Sequence, residues 1–291
     1  MNYKLLATDM DGTLLMDNKS LSQQNIDALR RVKEKDIEIA ICTGRPYNSV
    51  EPYLRQLNFD CWVITSNGSV IRDKEGKIIS VIYMKSEALK KAIEILEEEK
   101  IYYHISDEKY TYIRNQLQRV KFLRKVIFQT SATYWKAWFL SLWIVLFDKN
   151  YKKVDFSTFT RNNRNATNIF IYSEDTKQLQ AIKEKLEKIK GVDVTSSGQN
   201  NIEVLDNDAT KGKSLEGLAK LLNITKKEII AVGDNFNDLS MIQYAGLGVA
   251  MKNAEKEVLE NADWITKTNE EHGIDYLVRK IIEVPKKSME I

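Results

Sequence analysis

Cysteine and histidine are both scarce in this chain of 291 residues, which contains two of each. Cys42 and Cys61 lie in apolar runs typical of buried strands, so we expect reduced core thiols rather than a disulfide or a nucleophile. His104 and His272 lie far apart and lack the spacing of metal ligands. A histidine-based zinc site and a serine–histidine–aspartate triad are therefore not expected.

Long apolar runs are also missing. The longest, residues 137–147 (AWFLSLWIVLF), has about half of the roughly 20 residues that a membrane span needs. The N-terminus, MNYKLLATDMDG, has acidic residues after a short apolar run, which is unlike a signal peptide. We therefore expect a soluble cytoplasmic protein without stable membrane association.

An excess of charge of one sign is lacking too. Lys and Arg number 44 against 41 Asp and Glu, which gives a formal net charge of +3. So small and evenly spread a charge does not favour nucleic acid or an acidic membrane as a partner. The length suggests two domains at about 150 residues per domain, and the 43% of apolar residues is enough to build a core in each.

The two ends of the chain share one pattern, in which strands and helices alternate. Apolar runs predict strands at residues 3–8, 37–42, 61–65, 228–232, 246–250 and 263–266, helices at 21–33 and 213–222, and a hairpin over 69–81. Strand–helix alternation is typical of parallel sheets with right-handed crossovers. We predict an α/β, doubly wound parallel-sheet core formed by residues 1–83 and 207–291.

Residues 84–206 have a different texture. Charged amphipathic helices at 87–100 and 176–190 mix with short strands, which predicts an inserted α+β domain. Within it, residues 120–147 are rich in bulky side chains, including Trp135, Trp138 and Trp143. We expect a helix buried in the inserted domain or in a subunit contact. A membrane-surface segment is the alternative, because Lys121, Arg124 and Lys125 precede the apolar run.

Polar clusters follow the predicted strands, at the sheet edge where open parallel sheets bind ligands. In DMDGTL, residues 9–14, two carboxylates lie two positions apart. Asp9 could attack phosphorus to give an aspartyl phosphate, and Asp11 could protonate the leaving oxygen and later activate water. Gly12 permits a tight turn and close approach of the backbone.

Of three further clusters, two suit phosphate. Thr43 and Gly44 in TGR offer a hydroxyl and backbone N–H groups, whereas Ser66-Asn67-Gly68 is a weaker signal that we expect only to shape a loop. Lys211 opens a helix and adds its charge to the helix N-terminus.

The last cluster is GDNFNDLSM, residues 233–241. Asp234, Asn235, Asn237 and Asp238 supply the oxygen ligands that Mg²⁺ prefers. Together the clusters provide a nucleophile, an acid–base group, phosphate donors, a cation and a metal site.

In these motifs the chain resembles the haloacid dehalogenase-like superfamily and, within it, the Cof-type phosphatases. The resemblance rests on DMDGTL, TGR, SNG, the Lys211-Gly212 pair and GDNFND, and it covers both ends of the chain. It implies a Rossmann-like core with an inserted α/β cap that selects the substrate, which agrees with the insertion predicted at residues 84–206. The implied substrates are sugar phosphates, other small phosphorylated metabolites and flavin mononucleotide.

The resemblance also assigns roles to single residues. It makes Asp9 the nucleophile and a metal ligand, and Asp11 the acid–base group whose backbone carbonyl also binds metal. Asp234 would hold Mg²⁺ with help from Asn235 or Asp238. The phosphate contacts would be the Met10 backbone N–H, Thr43, Gly44, Lys211 and Asn237.

Several alternatives stay open. Dehalogenase relatives lack the second aspartate, so Asp11 disfavours dehalogenation. A phosphomutase is possible on chemistry alone, and a protein that binds a sugar phosphate without catalysis is the rival from another class. We expect a monomer or a homodimer.

Overall fold

The structure, a computed structural model, describes residues 3–130, 150–159 and 164–283; of residues 125–130 it describes the backbone alone. The chain forms two compact units. One combines Met1–Ile82 with Asp208–Ile291, and the other is Tyr83–Asn207. The second unit is thus continuous in sequence, whereas the first is built from both ends of the chain.

The first unit contains an eight-stranded sheet in the order β14-β13-β12-β1-β2-β3-β4-β5. Its strands are β1 (Leu5–Thr8), β2 (Glu38–Cys42), β3 (Trp62–Thr65), β4 (Val70–Arg72), β5 (Ile78–Val81), β12 (Ile229–Gly233), β13 (Leu247–Ala250) and β14 (Trp264–Ile265). The strands from β14 to β3 pair in parallel, and β4 and β5 add an antiparallel hairpin.

The central strand of this sheet is β1, which pairs with β2 on one side and β12 on the other. From β1 the chain runs outward through β2 and β3, and from β12 it runs in the opposite direction through β13 and β14. The boundary between β1 and β12 is therefore a topological switch point, which is where open α/β sheets form ligand-binding crevices.

Helices cover both faces of the sheet. They are α1 (Gln23–Lys33), α2 (Tyr47–Leu57), α6 (Lys211–Leu221), α7 (Leu239–Tyr244), α8 (Lys256–Asn261) and α9 (Gly273–Leu277). Leu6 packs in the cluster that includes Leu29 of α1, whereas Leu5 packs in the cluster that includes Leu215 of α6. Because neighbouring strand residues face opposite sides, this arrangement buries both faces of β1. The predicted doubly wound α/β core is confirmed.

Local signals define the helix starts. The Ser22 hydroxyl accepts a hydrogen bond from the Asn25 N–H at 3.1 Å and caps α1. Thr210 caps α6 through the Lys213 N–H at 3.2 Å. Such caps satisfy backbone donors that have no partner inside the helix.

The second unit contains a six-stranded sheet in the order β10-β11-β9-β6-β7-β8. Its pairs are antiparallel except β7 with β8. The strands are β6 (Tyr102–Ser106), β7 (Thr111–Ile113), β8 (Tyr151–Lys153), β9 (Asn168–Tyr172), β10 (Val192–Thr195) and β11 (Asn201–Asp206). The helices are α3 (Ser86–Glu98), α4 (Gln116–Thr130) and α5 (Thr176–Leu186).

The two faces of this second sheet differ. Ile105 and Ile169 pack with Leu89 of α3 and Ile182 of α5 in one apolar core. On the other face, Phe122 of α4 stacks on Tyr102 with ring centroids 4.9 Å apart, and His104 stacks on Phe170 at 4.8 Å. Of the helix predicted in residues 120–147, residues 120–130 lie in α4, and residues 131–147 lie outside the described residues. Among the described residues, no helix is long and apolar enough to span a membrane.

Replacing each of two glycines of the first unit by alanine should change the stability in opposite directions. A Cβ at Gly248 would lie 2.4 Å from the Ile242 carbonyl oxygen of α7, so Gly248→Ala should force α7 off the sheet and lower the free energy of unfolding by about 1–3 kcal/mol. A Cβ at Gly217, exposed on α6, would approach nothing closer than Ile71 at 4.0 Å. Gly217→Ala should therefore raise the free energy of unfolding by about 1 kcal/mol. Urea unfolding of both variants measures this, and equal effects would contradict the packing described.

Candidate active site

The ends of four adjacent strands bring the predicted clusters together. Asp9 follows β1, Thr43 follows β2, Ser66 follows β3 and Asp234 follows β12. The Asp9 N–H donates to the Val232 carbonyl at 3.0 Å, so the first and last motifs lie side by side although they are distant in sequence. All of these residues belong to the first unit.

Lys211 is the centre of this cluster. Its Nζ lies 2.6 Å from Asp9 Oδ1 and 2.6 Å from Asp238 Oδ1, and its side chain has no exposure to solvent. Burial alone would lower the pKa of Lys211, but the carboxylates of Asp238 and Asp9 outweigh it and raise the pKa. The ammonium group therefore stays charged between the two acids.

Asp238 and Asn235, both predicted as metal ligands, use their side-chain oxygens within the protein. Asp238 Oδ2 accepts the N–H groups of Asp234 at 2.9 Å and Asn235 at 3.0 Å, while Oδ1 accepts from Lys211. Asn235 Oδ1 accepts the Phe236 N–H at 2.8 Å. Both side chains thus shape the loop after β12.

Asp234 is more open to a ligand. Its Oδ1 accepts from the Thr13 hydroxyl at 2.6 Å. Its Oδ2 faces Gly12, where a Cβ would lie only 2.4 Å away. Gly12 has a φ of +78°, which glycine adopts without strain, so this position needs glycine for both its backbone and its lack of a side chain.

Burial dominates the electrostatics of the acidic cluster. A carboxylate oxygen from each of Asp9, Asp234 and Asp238 lies within 4.8 Å of the others. Burial raises the pKa of Asp9, and the Asp238 and Asp234 carboxylates raise it further against the opposing charge of Lys211. Burial and the Asp238 charge raise the pKa of Asp234 to about 7. Lys211 contacts two of the three carboxylates, Asp9 and Asp238, so the cluster has fewer positive than negative groups.

Asp11 lies in a contrasting environment. Arg45 binds its carboxylate with two parallel hydrogen bonds, Nε to Oδ2 at 2.6 Å and Nη2 to Oδ1 at 2.7 Å. Lys19 Nζ donates to Oδ1 at 2.9 Å. Burial would raise the pKa of Asp11, but Arg45 and then Lys19 outweigh it and lower the pKa to about 2. Asp11 is therefore ionised and held by two cations.

The predicted phosphate-binding residues border this cluster. The Thr43 hydroxyl accepts the Arg45 N–H at 3.2 Å, which leaves its own hydrogen able to donate. A Cβ at Gly44 would lie 3.0 Å from Asn67 Oδ1, and Asn237 Nδ2 donates to the same Asn67 oxygen at 2.9 Å. The Met10 carbonyl accepts the Leu15 N–H at 2.8 Å and fixes the turn that carries Asp11.

The contacts of Arg45, Lys19 and Asn67 were not anticipated from the sequence. Arg45 belongs to the TGR motif, so its position beside the acidic motif offered a signal. Lys19 offered none, because it reaches Asp11 from a loop in which its own φ is +64°. Asn67 belongs to the SNG motif, which the sequence predicted only to shape a loop. Cys42 and Cys61 are free and buried, as predicted, and burial raises the pKa of each thiol to about 12.

A family model of the haloacid dehalogenase-like hydrolases matches residues 6–278. The chain belongs to this family. The match begins within β1 and ends just after α9, so it covers most of both halves of the first unit and the whole of the second. The resemblance inferred from the motifs is thereby confirmed.

Members of the family with known names or structures agree with this. Phosphatase YwpJ of Bacillus subtilis is 30% identical over 96% of this chain and 100% of its own length. The 5-amino-6-(5-phospho-D-ribitylamino)uracil phosphatase YwtE of the same organism is 30% identical over 96% of this chain and 98% of its own. A haloacid dehalogenase-like hydrolase of B. subtilis superposes with a TM-score of 0.84 at 30% identity, covering 96% of this chain and 99% of the other. The chain is a phosphoric monoester hydrolase of this family.

Replacing Lys211 by an apolar residue should cause a large, pH-dependent loss of stability. Lys211→Met should lower the free energy of unfolding at pH 7 by about 3–5 kcal/mol in the presence of a chelator, because Asp9 and Asp238 lose their buried cation. The loss of stability should shrink towards pH 5. The pKa of Asp9 is raised in the folded protein, so lowering the pH favours its neutral form there. A neutral carboxyl group needs no cation, so replacing Lys211 then destabilises the fold less.

A matched control is available two residues along the helix. Lys213 pairs with Asp208 at 2.7 Å, with side chains 50% and 63% exposed. Lys213→Met should change the free energy of unfolding by less than about 1 kcal/mol at either pH. Urea unfolding followed by circular dichroism compares the two variants. Equal losses would show that Lys211 has no special role in the cluster.

Proposed function

We propose that the chain is a Mg²⁺-dependent phosphatase that transfers the phosphoryl group of a small phosphorylated metabolite to Asp9 and then to water. The observation that carries this proposal is the buried Asp9 carboxylate, bound by Lys211 at 2.6 Å and adjacent to Asp234 at the switch point of the sheet. A carboxylate in this position is suited to nucleophilic attack on phosphorus.

Lys211 orients the nucleophile. It binds Oδ1 of Asp9, and within the part of the chain that the structure describes no donor is bonded to Oδ2. Oδ2 is therefore the oxygen that attacks phosphorus in line with the leaving oxygen. The P–O bond to the leaving group breaks as the Oδ2–P bond forms, which gives an aspartyl phosphate and an alcohol.

Donors around Asp9 stabilise the charge of the transferring group. In phosphoryl transfer the negative charge spreads over three equatorial oxygens, so fixed donors beside these oxygens lower the barrier. The Lys211 ammonium, the Thr43 hydroxyl, the Asn237 amide and the backbone N–H groups of Gly44 and Met10 are the donors we assign.

Asp11 serves as the acid–base group. Held by Arg45, it is ionised, which is the form needed to take a proton from the water that attacks the aspartyl phosphate. To act as the acid of the first step, Asp11 must break its two hydrogen bonds to Arg45 and take up a proton. We infer that substrate binding separates the side chains of Asp11 and Arg45.

The acidic cluster fits a divalent cation. Three carboxylates lie close together beside a single lysine, which contacts Asp9 and Asp238 but not Asp234. With all three ionised, a dication would balance the two remaining negative charges. Gly12 also leaves the space beside Asp234 Oδ2 free of a side chain. We assign the ion to Asp9, Asp234 and the Asp11 carbonyl, since Asp238 and Asn235 use their oxygens within the protein. When bound, Mg²⁺ neutralises the charge that repels a phosphate from a carboxylate.

The substrate class is a small phosphorylated metabolite, such as a sugar phosphate. YwtE and YcsE of B. subtilis, 30% and 29% identical to this chain, are named for a phosphorylated ribitylaminouracil, which supports a small molecule rather than a nucleic acid. We assign selection of the substrate to the second unit. A cytoplasmic location is supported by the two free cysteines, which are typical of reducing compartments.

Metal removal tests the cofactor. Hydrolysis of p-nitrophenyl phosphate should disappear in a chelator and return with Mg²⁺ but not with Zn²⁺, because the site has only oxygen ligands. Mg²⁺ should also raise the melting temperature of the wild-type protein. It should raise the melting temperature of Asp234→Asn much less. Full activity in excess chelator would contradict the metal assignment.

The two aspartates should differ when each is replaced by asparagine. Asp9→Asn should abolish turnover, because an amide cannot form the acyl phosphate. Asp11→Asn should reduce turnover of a sugar phosphate by roughly 10² to 10⁴. With p-nitrophenyl phosphate, whose leaving group barely needs a proton, phosphorylation should suffer less, and the aspartyl phosphate should accumulate.

Mass spectrometry after a rapid acid quench detects the phosphorylated protein and maps it to Asp9. Asp60→Asn, at an exposed carboxylate, is the control and should behave as wild type. The mechanism is wrong if the phosphoryl group maps to Asp11, or if both variants hydrolyse p-nitrophenyl phosphate as fast as wild type. Formation of an isomer of the substrate instead of inorganic phosphate would identify a phosphomutase.

A further inference from the structure

The loop after β3 has an unusual backbone. Ser66, Asn67 and Gly68 have φ values of 50°, 55° and 111°, so three consecutive residues are left-handed, and two of them carry a Cβ. This conformation is costly for residues other than glycine and persists where the surrounding structure fixes it, which is often at functional sites.

The loop is fixed by the neighbouring phosphate motifs. The N–H groups of Ser66 and Asn67 donate to the carbonyls of Arg45 and Thr43, both at 3.1 Å. On the other side Gly68 lies against the segment that begins α6, where a Cβ would approach the Thr210 carbonyl oxygen to 2.5 Å. The loop therefore lies between the motif of Thr43 and Gly44 and the motif of Lys211.

The side chain of Asn67 extends these contacts to the last motif. It is 2% exposed, and its Oδ1 accepts the Asn237 Nδ2 at 2.9 Å. The same oxygen would lie 3.0 Å from a Cβ at Gly44. One buried amide thus contacts two of the groups assigned to phosphate binding.

Stability does not explain this amide. Among the described residues, Asn67 Nδ2 and Asn237 Oδ1 are both buried without a hydrogen-bond partner. Buried polar atoms are usually paired, and leaving one unpaired destabilises the fold. Asparagine tolerates the left-handed backbone, but glycine tolerates it better and would remove the unpaired Nδ2, although Asn237 Nδ2 would then lose its acceptor. The Asn67–Asn237 pair thus leaves two buried polar atoms unpaired, which stability alone does not favour.

We propose that Asn67 is a positioning residue of the phosphate-binding pocket. Asn67 holds the Asn237 amide in the orientation that reaches the phosphoryl group. It also packs directly against Gly44, because glycine has no side chain to keep it away. This inference rests on the proposed function. It assigns to the SNG motif a role in phosphate affinity, exerted through Asn237. The motif connects the phosphate donors that follow β2 with those that follow β12, so that both sets can bind the same phosphoryl group.

The test is Asn67→Gly, which keeps the left-handed backbone accessible and removes only the amide. It should lower kcat/KM for p-nitrophenyl phosphate by about 10- to 100-fold, by analogy with the losses seen when a residue that orients a metal-binding side chain is replaced. Competitive inhibition by inorganic phosphate should weaken by a similar factor. The melting temperature should change little, because removal of a buried unpaired donor offsets the lost hydrogen bond to Asn237. Asn67→Ser, whose hydroxyl is too short to reach Asn237, replaces it if the glycine variant does not fold.

A double variant separates positioning from direct contact. If Asn67 acts through Asn237, adding Asn67→Gly to Asn237→Ala should change kcat/KM by no more than about twofold, because the group it orients is already gone. Asn223→Gly is the matched control. Asn223 is another left-handed asparagine, with φ 54°, but it is exposed outside the site, and its replacement should leave phosphate inhibition unchanged.

The outcomes are distinct. Additive losses in the double variant, or unchanged phosphate inhibition in Asn67→Gly, would overturn the role of Asn67 while wild-type hydrolysis upholds the phosphatase. Absence of both hydrolysis and phosphate binding in the wild-type protein with Mg²⁺ would overturn the proposed function and this inference with it.

Discussion

The ammonium group of Lys211, buried between Asp9 and Asp238, is the interaction on which the site depends. It joins the motif after β1, the start of α6 and the loop after β12 through two contacts of 2.6 Å. A buried charge is tolerated only when it is paired and hydrogen-bonded, so each of the three residues fixes the other two. Because Asp238 Oδ2 also accepts two backbone N–H groups, the lysine orders the backbone that carries Asp234.

This arrangement separates the two aspartates of the DMDGTL motif chemically. Asp9 lies in a buried cluster with more carboxylates than cations, whereas Asp11, two residues later, is held by a guanidinium and an ammonium group. Neighbouring positions in the sequence thus have pKa values shifted in opposite directions. Such a separation is the physical basis for giving two carboxylates different tasks.

The sequence predicted most of the core and of the site because both depend on local signals. Apolar runs defined β1, β2, β3, β12 and β13, and four of the five motifs followed β1, β2, β3 and β12. The fifth, at Lys211, opens α6. The helix α2 was missed, since Pro46 and Pro52 interrupt its pattern and proline is usually read as a helix breaker. The contacts made by Arg45 and by Asn67 were missed for another reason. They join residues 34 and 170 positions apart, and such pairs follow from tertiary packing rather than from periodicity.

The position of the second unit within the chain imposes an order of events during synthesis. Lys211 follows Asp9 by 202 residues, so at about 5–20 residues per second Asp9 is synthesised roughly 10–40 s before the lysine that binds it. In that interval β1 lacks β12, and its apolar edge is open to wrong partners. Tyr83–Asn207, which is continuous, can complete its own sheet first. At that stage the nascent chain contains five of the eight strands of the first sheet, β1 to β5, but not β12. Unpaired strand edges of this kind are prone to aggregation until their partner strand is made.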